Sequence, residues 1–263
     1  MIAGRLCIFY GAGKGLRRFS ICEVLMLQLQ RIGEKYIIYY DDHYMGSLQL
    51  YDNSHHMRNC YVKLDMKFID TNISTELFKQ IKDTVNRKLQ VMVNASDEAT
   101  IAFLTAGGFV CKRRCYEVDA SGDAYIGGKG NVQLFYTYAR GAVYERCCRM
   151  MFDYYVKTHR AVNPWTADYE AFCQSMPAKV VFARQDEEIV ALAFIEDNEI
   201  AYVCGVDKAY FVRFARALVT SVLAEYKTVS FEADDCDWAA MILKSLFINQ
   251  DDVSFDTYIL GDI

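Results

Sequence analysis

The amino-acid sequence predicts an α/β fold: an α+β mixed central sheet flanked by helices, built twice in tandem. Three observations lead there. The chain has 263 residues, which at ~100–200 residues per domain suits two modest domains better than one large one. Strand and helix periodicities alternate along it in an order that recurs. One segment of the first half also aligns without gaps to a segment of the second.

In the first half, Lys35 to Asp41 (KYIIYYD) is dense in β-branched and aromatic residues, and a turn leads to another strand from Gly46 to Leu50. From Tyr61 to Phe68, Val62, Leu64, Met66 and Phe68 alternate with Tyr61, Lys63, Asp65 and Lys67, the pattern of a half-buried strand. Ile73, Leu77, Ile81 and Val85 then recur at helical spacing, behind Asp70, Thr71 and Asn72 as candidate caps. Leu89 to Asn94 predicts a strand, Thr100 to Ala106 a short helix stopped by Gly107 and Gly108, and Val110 to Val118 a closing strand.

Between Ala120 and Asn131 the chain reads ASGDAYIGGKGN, with four glycines and little apolar content. The predicted division is therefore a first domain over 1–119, a glycine-rich linker over 120–131 and a second domain over 132–263. A phosphate-cradling loop is the alternative for these glycines, but no apolar strand runs directly into them.

The second half opens on a stretch read as mainly helical, through Tyr144 to Tyr155 and Asp168 to Phe172. Lys179 to Ala183, Ile189 to Ile195 and Glu199 to Cys204 predict three strands joined by acidic turns. A helix follows with Phe211, Phe214, Ala215, Leu218, Val219, Val222 and Leu223 on one face. Thr228 to Glu232 predicts a strand, Asp237 to Leu246 a helix and Ser254 to Leu260 the last strand. Val93–Phe109 aligns to Phe231–Phe247 at an offset of 138 residues, matching Ala95 to Ala233, Asp97 to Asp235 and Phe109 to Phe247. This indicates an old duplication.

Composition excludes several function classes. A net charge of −5 gives no general attraction for nucleic acid, and Lys112, Arg113 and Arg114 are too few to make a patch. No segment approaches the ~18 apolar residues of a membrane span. The run from Met1 to Tyr10 meets Gly11 before reaching signal-peptide length, so no targeting segment is read and a cytoplasmic location is expected. The ten cysteines include no C-x-x-C pair, and the four histidines make no metal spacing with them, so reduced core cysteines and no metal are expected. His55 to Asn59 reads as a surface loop leading into the central strand.

The strand-helix order, together with Asn94 ending a strand, a short helix, Gly108, Phe109 and the run KRRCYEV, resembles the GNAT superfamily of acyl-CoA-dependent N-acetyltransferases. In the second half VVFARQDEEIVALAFIEDNEIAYVCG is similar to the family's paired central strands. The resemblance implies acetyl-CoA as co-substrate and a small-molecule or peptide amine as acceptor. Its diphosphate loop, (Arg/Gln)-x-x-Gly-x-(Gly/Ala), falls on Ile69 to Ser74 and Tyr210 to Ala215. Asn72 and Ser74 replace glycines there, and Arg213 obstructs a key slot. The resemblance implies cofactor contacts at Asn72, Ile73, Ser74, Asn94, Val203, Cys204, Gly205, Phe214 and Ala215. A tyrosine that often protonates the departing thiolate is replaced by Leu104 and Ile242. Asp65 and Glu199 stand as candidate bases or as solvated strand-end carboxylates, and Asn94 as a pantetheine contact or, with Ser96, a helix cap.

Two other readings stand beside the enzyme. The altered loops suit a double binding module that has lost chemistry. Arg5 to Arg18 (RLCIFYGAGKGLRR), read as a strand and glycine turn before a helix through Gln30, resembles a nucleotide loop at Gly11 to Gly15, although Leu16 breaks the G-x-G-x-x-G spacing.

Overall fold

A computed structural model of the chain describes residues 26–248 and 253–261. The first half comprises β1 (Leu27–Ile32), β2 (Lys35–Tyr40), β3 (His43–Tyr51), β4 (Asn59–Met66), α1 (Ser74–Val85), β5 (Lys88–Asn94), α2 (Glu98–Ala106) and β6 (Val110–Ser121). The second comprises β7 (Phe135–Tyr138), α3 (Ala142–His159), α4 (Tyr169–Ser175), β8 (Lys179–Gln185), β9 (Glu188–Glu196), β10 (Glu199–Gly205), α5 (Lys208–Tyr226), β11 (Thr228–Asp234), α6 (Trp238–Lys244) and β12 (Ser254–Leu260). Local chemistry sets the boundaries. Asp97, Asp168, Asp207 and Asp237 each cap a helix by accepting from a backbone N–H of its first turn. Asp186 and Asp197 take positive φ in the tight turns between β8, β9 and β10.

The mixed sheet is as expected, but the halves do not own separate sheets. The twelve strands among the described residues form one sheet in the order β1-β2-β3-β4-β5-β12-β6-β11-β10-β9-β8-β7. Each half's closing strand lies against the other half: β12 pairs with β5, and β6 pairs with β11. The two closing strands pair antiparallel with each other at the centre.

The register shows how the halves correspond. Asn94 faces Phe255 across β5 and β12, while Asp234 faces Cys115 across β11 and β6, and Cys115 itself faces Phe255. Equivalent residues are thus 140 apart, as Asn94 is from Asp234 and Cys115 from Phe255. The two strand-helix turns agree, since Asp97 N–H bonds to Asn94 O and Asp237 N–H to Asp234 O, both at 2.9 Å. The 138-residue offset holds at Phe109 and Phe247 only, because α6 has 7 residues where α2 has 9. Asp97 therefore corresponds to Asp237 rather than to Asp235.

Three expectations change. Leu27–Ile32 is an edge strand, not the end of a helix, while the glycine turn at Gly11 to Gly15 lies outside the described residues. The stretch after the glycine-rich segment contains the edge strand β7 before its helices. The glycine-rich segment is docked, not free. Ala120 and Ser121 end β6, the Tyr125 hydroxyl bonds to Gly128 O and Arg216 O, and Gly130 lies so close to α5 that a Cβ would stand 2.2 Å from the Ala217 backbone nitrogen.

One apolar core lies between the first half of the sheet and α1 and α2, around Leu77, Phe78, Ile81, Phe103 and Leu104. The second half is packed on both faces, by α5 and α6 on one and by α3 and α4 on the other. The loop after α3 also reaches the first half: His55 stacks on Trp165 at 4.6 Å, and Asn59 donates to Gln90 and to Val162 O. The histidine loop is thus part of a contact between the halves. The eight cysteines among the described residues are free. No helix among them is long and apolar enough to cross a membrane.

Candidate functional site

In each half two parallel strands begin side by side and then part. β4 and β5 pair at Asn59–Lys88, Cys60–Leu89 and Tyr61–Gln90 and diverge beyond. β10 and β11 pair only at Glu199–Ser230, and β10 is irregular between Ile200 and Tyr202. Once the strands part, their facing backbone groups are free for a ligand that can complete the ladder.

The two forks differ in what fills them. The first encloses a cavity of about 580 Å³ lined by Leu64, Asp65, Met66, Met92, Asn94 and Thr100, among others. The second leaves about 140 Å³. Small-molecule sites run to ~300–1,000 Å³, so the first fork is of that size and the second is not.

Side chains from α3 and β6 close the second fork. Asp234 Oδ2 accepts from Arg113 Nη1 and from His159 Nε2, both at 3.0 Å, and Tyr155 stacks on His159 with ring centroids 4.0 Å apart. Burial alone would raise the Asp234 carboxyl, but the His159 hydrogen bond and the Arg113 charge outweigh it and hold it below the ordinary range. Asp237 is raised by burial, against the hydrogen bond it takes from the Tyr154 hydroxyl. His159, Asp234 and Cys236 place ligand-type atoms within 4.8 Å of one another. One Asp234 oxygen is shared with the Arg113 guanidinium, and burial pushes the Cys236 thiol up to about 12.

At the first fork the residues equivalent to Asp234 and Arg113 are Asn94 and Val253, so neither charge of the buried pair is present. The Asn94 side-chain oxygen accepts from the Ser96 N–H at 2.9 Å and from its hydroxyl, tying the turn, while Asp97 caps α2. The cap expected of Asn94 or Ser96 thus belongs to Asp97. Asp65 lies exposed on β4 beyond the point of divergence, with no hydrogen-bond partner among the described residues. Met92 is 59% exposed and Ile69 36%, so the mouth carries apolar surface.

The remaining sequence-predicted residues separate into groups. Glu199 stands at the closed end of its fork, in an acidic recess with Glu117, Asp119 and Glu232, and is not the counterpart of Asp65. Val203, Cys204 and Gly205 are buried in β10. A Cβ on Gly205 would approach the Phe211 ring to 2.9 Å, so this glycine lets α5 pack on the strand. Tyr210 to Ala215 lie inside α5 rather than in a loop before it, and Phe214 and Ala215 are fully buried. Phe214 and Ala215 thus pack α5 on the second-half core, while Val203 lines the small gap of the second fork. Asn72, Ile73 and Ser74 do form the turn entering α1, with Ile73 and Ser74 buried. Leu104 is fully buried and Ile242 packs against the second-half core. Sequence reading missed Tyr155, His159 and Arg113. The signal was there in Asp234, which corresponds to Asn94 once the 140-residue register is known.

No protein-family model matches the sequence, and comparison with curated proteins finds no match either. Solved structures do match. A GCN5-related N-acetyltransferase from Sphaerobacter thermophilus superposes with a TM-score of 0.54 at 11% identity, covering 86% of this chain and 80% of that one. The chain has the GNAT fold. Looser likenesses to GNAT proteins include one from Kribbella flavida, with a TM-score of 0.45, 13% identity and 90% of each chain covered. Another is a tandem GNAT protein from the clavulanic acid biosynthesis pathway, with a TM-score of 0.47, 10% identity, and 87% and 83% covered. The assignment of this GNAT fold rests on the first.

Proposed function

We propose that this GNAT-fold protein transfers an acyl group from a thioester, such as acetyl-CoA, to an amine, and that it does so at the first fork alone. The observation that carries this reading is a contrast among the described residues, between one fork of about 580 Å³ whose Asp65 carboxylate has no hydrogen-bond partner among them and a second filled by Tyr155, His159 and Arg113. A thioester arm lying between β4 and β5 meets Leu64 and Met66 beside the polar Asn94 and Thr100, and backbone groups that lack a strand partner among the described residues. Asp65 takes a proton from the acceptor ammonium. The freed nitrogen forms a bond to the thioester carbonyl carbon, the carbon–sulfur bond breaks, and the second proton, shed by the nitrogen as it becomes an amide, passes through water at the open mouth to the departing thiolate. Leu104 has no proton to offer. The second half, its fork closed, is scaffold.

The test is turnover with acetyl-CoA and a panel of primary amines, followed by release of free thiol. Asp65→Asn is expected to lower kcat about 100-fold or more, the scale of general base catalysis, while leaving donor affinity unchanged. An Asp65→Asn protein with undiminished turnover removes Asp65 from the mechanism.

A further inference from the structure

The entrance to α1 carries an observation that narrows the donor. Resting on the reading of the first fork as the thioester site, we infer that this fork recognises the acyl-pantetheine arm of its donor and draws no binding from a nucleotide diphosphate. A helix N-terminus grips phosphate through backbone N–H groups that have no other partner, aided by its positive dipole end. Three of those groups are spent here. The Asn72 N–H bonds to the Asp70 carboxylate at 2.9 Å, the Ile73 N–H to the Asp70 carbonyl at 3.3 Å, and the Ser74 N–H to Thr71 O. The Asn72 side-chain amide also donates to the Asp70 carboxylate, at 2.8 Å. The position a diphosphate would take therefore already holds a negative group.

The surroundings add to the effect. The C-terminal carbonyls of α2 are turned to the start of α1, where the Ser74 hydroxyl donates to Phe103 O and the Thr75 hydroxyl to Ala106 O. Gly107 fits so tightly behind them that a Cβ there would stand 2.6 Å from Ser74 Oγ. A phosphate would meet a carboxylate and the negative end of a second helix at once. The second half repeats the arrangement, with Asp207 accepting from the Tyr210 N–H at 2.7 Å and from the Phe211 N–H through its carbonyl at 2.9 Å. The cavity lining is mixed, with Leu64, Met66 and Met92 beside Asp65, Asn94 and Thr100, and suits a neutral arm that alternates methylenes with amides. The ligand class is an acyl-pantetheine thioester, with the adenosine diphosphate portion of coenzyme A left in solvent.

Calorimetric titration of the full chain with acetyl-CoA and with S-acetylpantetheine tests this. The two dissociation constants are expected to agree within about threefold. Asp70→Asn keeps a capping side chain but removes the charge. It is expected to tighten acetyl-CoA by about two- to fivefold, the scale of one charge at a helix end, and to leave S-acetylpantetheine unchanged. Thr100→Trp, on the outer face of α2 at the cavity, is expected to weaken both. A preference for acetyl-CoA larger than threefold that Thr100→Trp still abolishes overturns this inference and leaves the fork reading standing. If neither compound binds, or Thr100→Trp affects neither, both fail together.

Discussion

Replacing Arg113 with methionine should cost this protein a large part of its stability, in a way that depends on pH. Arg113 and Asp234 are 3.0 Å apart with side chains only 12% and 15% exposed, and the second Asp234 oxygen has no partner. Arg113 also donates to Thr257 of β12 at 3.2 Å, so it joins three neighbouring strands at the centre of the sheet. Methionine fills a similar volume but leaves Asp234 buried with His159 alone. Breaking one partner out of a buried pair costs about 3–5 kcal/mol, against a total of about 5–15 kcal/mol for a typical domain. The sign of the pH effect follows from the direction of the shift. In the wild type the Asp234 carboxyl is depressed, so its stabilisation is present above the unfolded carboxylate range and is lost only as pH falls through the lower, folded value. Without Arg113 one of the forces that offset burial is gone and the carboxyl rises, so acidification from pH 7 towards pH 5 protonates Asp234 and recovers stability. Urea unfolding at both pH values should show the difference between Arg113→Met and wild type shrinking as pH falls, and Asp234→Asn on the Arg113→Met background should recover much of the loss at pH 7. A difference under about 1 kcal/mol at pH 7, or one of constant size across that range, would refute the account of the closed fork as a charge network.

Three further outcomes are expected. Glu232 is raised by burial and by the neighbouring Asp234 charge, so the folded state binds its proton more tightly and stability falls as pH rises through the window above the ordinary glutamate value; Glu232→Gln should therefore raise Tm at pH 7, with the gain vanishing in acid. Tyr154→Phe removes a hydrogen bond to the buried Asp237 carboxylate and should cost about 1.5–3 kcal/mol in chemical denaturation. Gly130→Ala drives a methyl into the α5 backbone at Ala217 and should cost about 1–3 kcal/mol, whereas a freely moving linker would show no change.

Much of the fold is legible in local pattern. The alternation at Val62, Leu64 and Met66, the helical stripe from Phe211 to Leu223 and the last strand from Ser254 to Leu260 each depend on a residue's own neighbours. The exchange of β6 and β12 does not. A closing strand has the same alternation whichever half it pairs with, and the choice is made by contacts that span well over a hundred residues. β7 was hidden for another reason: four residues at a sheet edge, between a glycine-rich segment and an 18-residue helix, give too short a run to register as a period. The docking of the glycine-rich segment was equally invisible, since its composition reports the backbone freedom of Gly128 and the closeness of Gly130 in the same letters as a loose tether.

The candidate site was half legible for a reason that bears on its chemistry. The sequence marked Asp65 and Asn94, which the structure brings to one cavity, and it marked Gly205, Phe214 and Ala215, which the structure spends on packing α5 against β10. An offset of 138 sets Asn94 against Glu232 and hides the comparison that matters. At 140 residues Asn94 stands against Asp234, and Val253 against Arg113. In the second half a carboxylate draws a guanidinium and an imidazole into the gap between the parted strands, and their pairing holds it shut. In the first half a neutral amide and a valine occupy those positions, so no buried charge calls for a partner and the gap can stay open at no electrostatic cost. Among the described residues, these two positions of each repeat mark the difference between a fork held shut by a charge network and one that carries no such network.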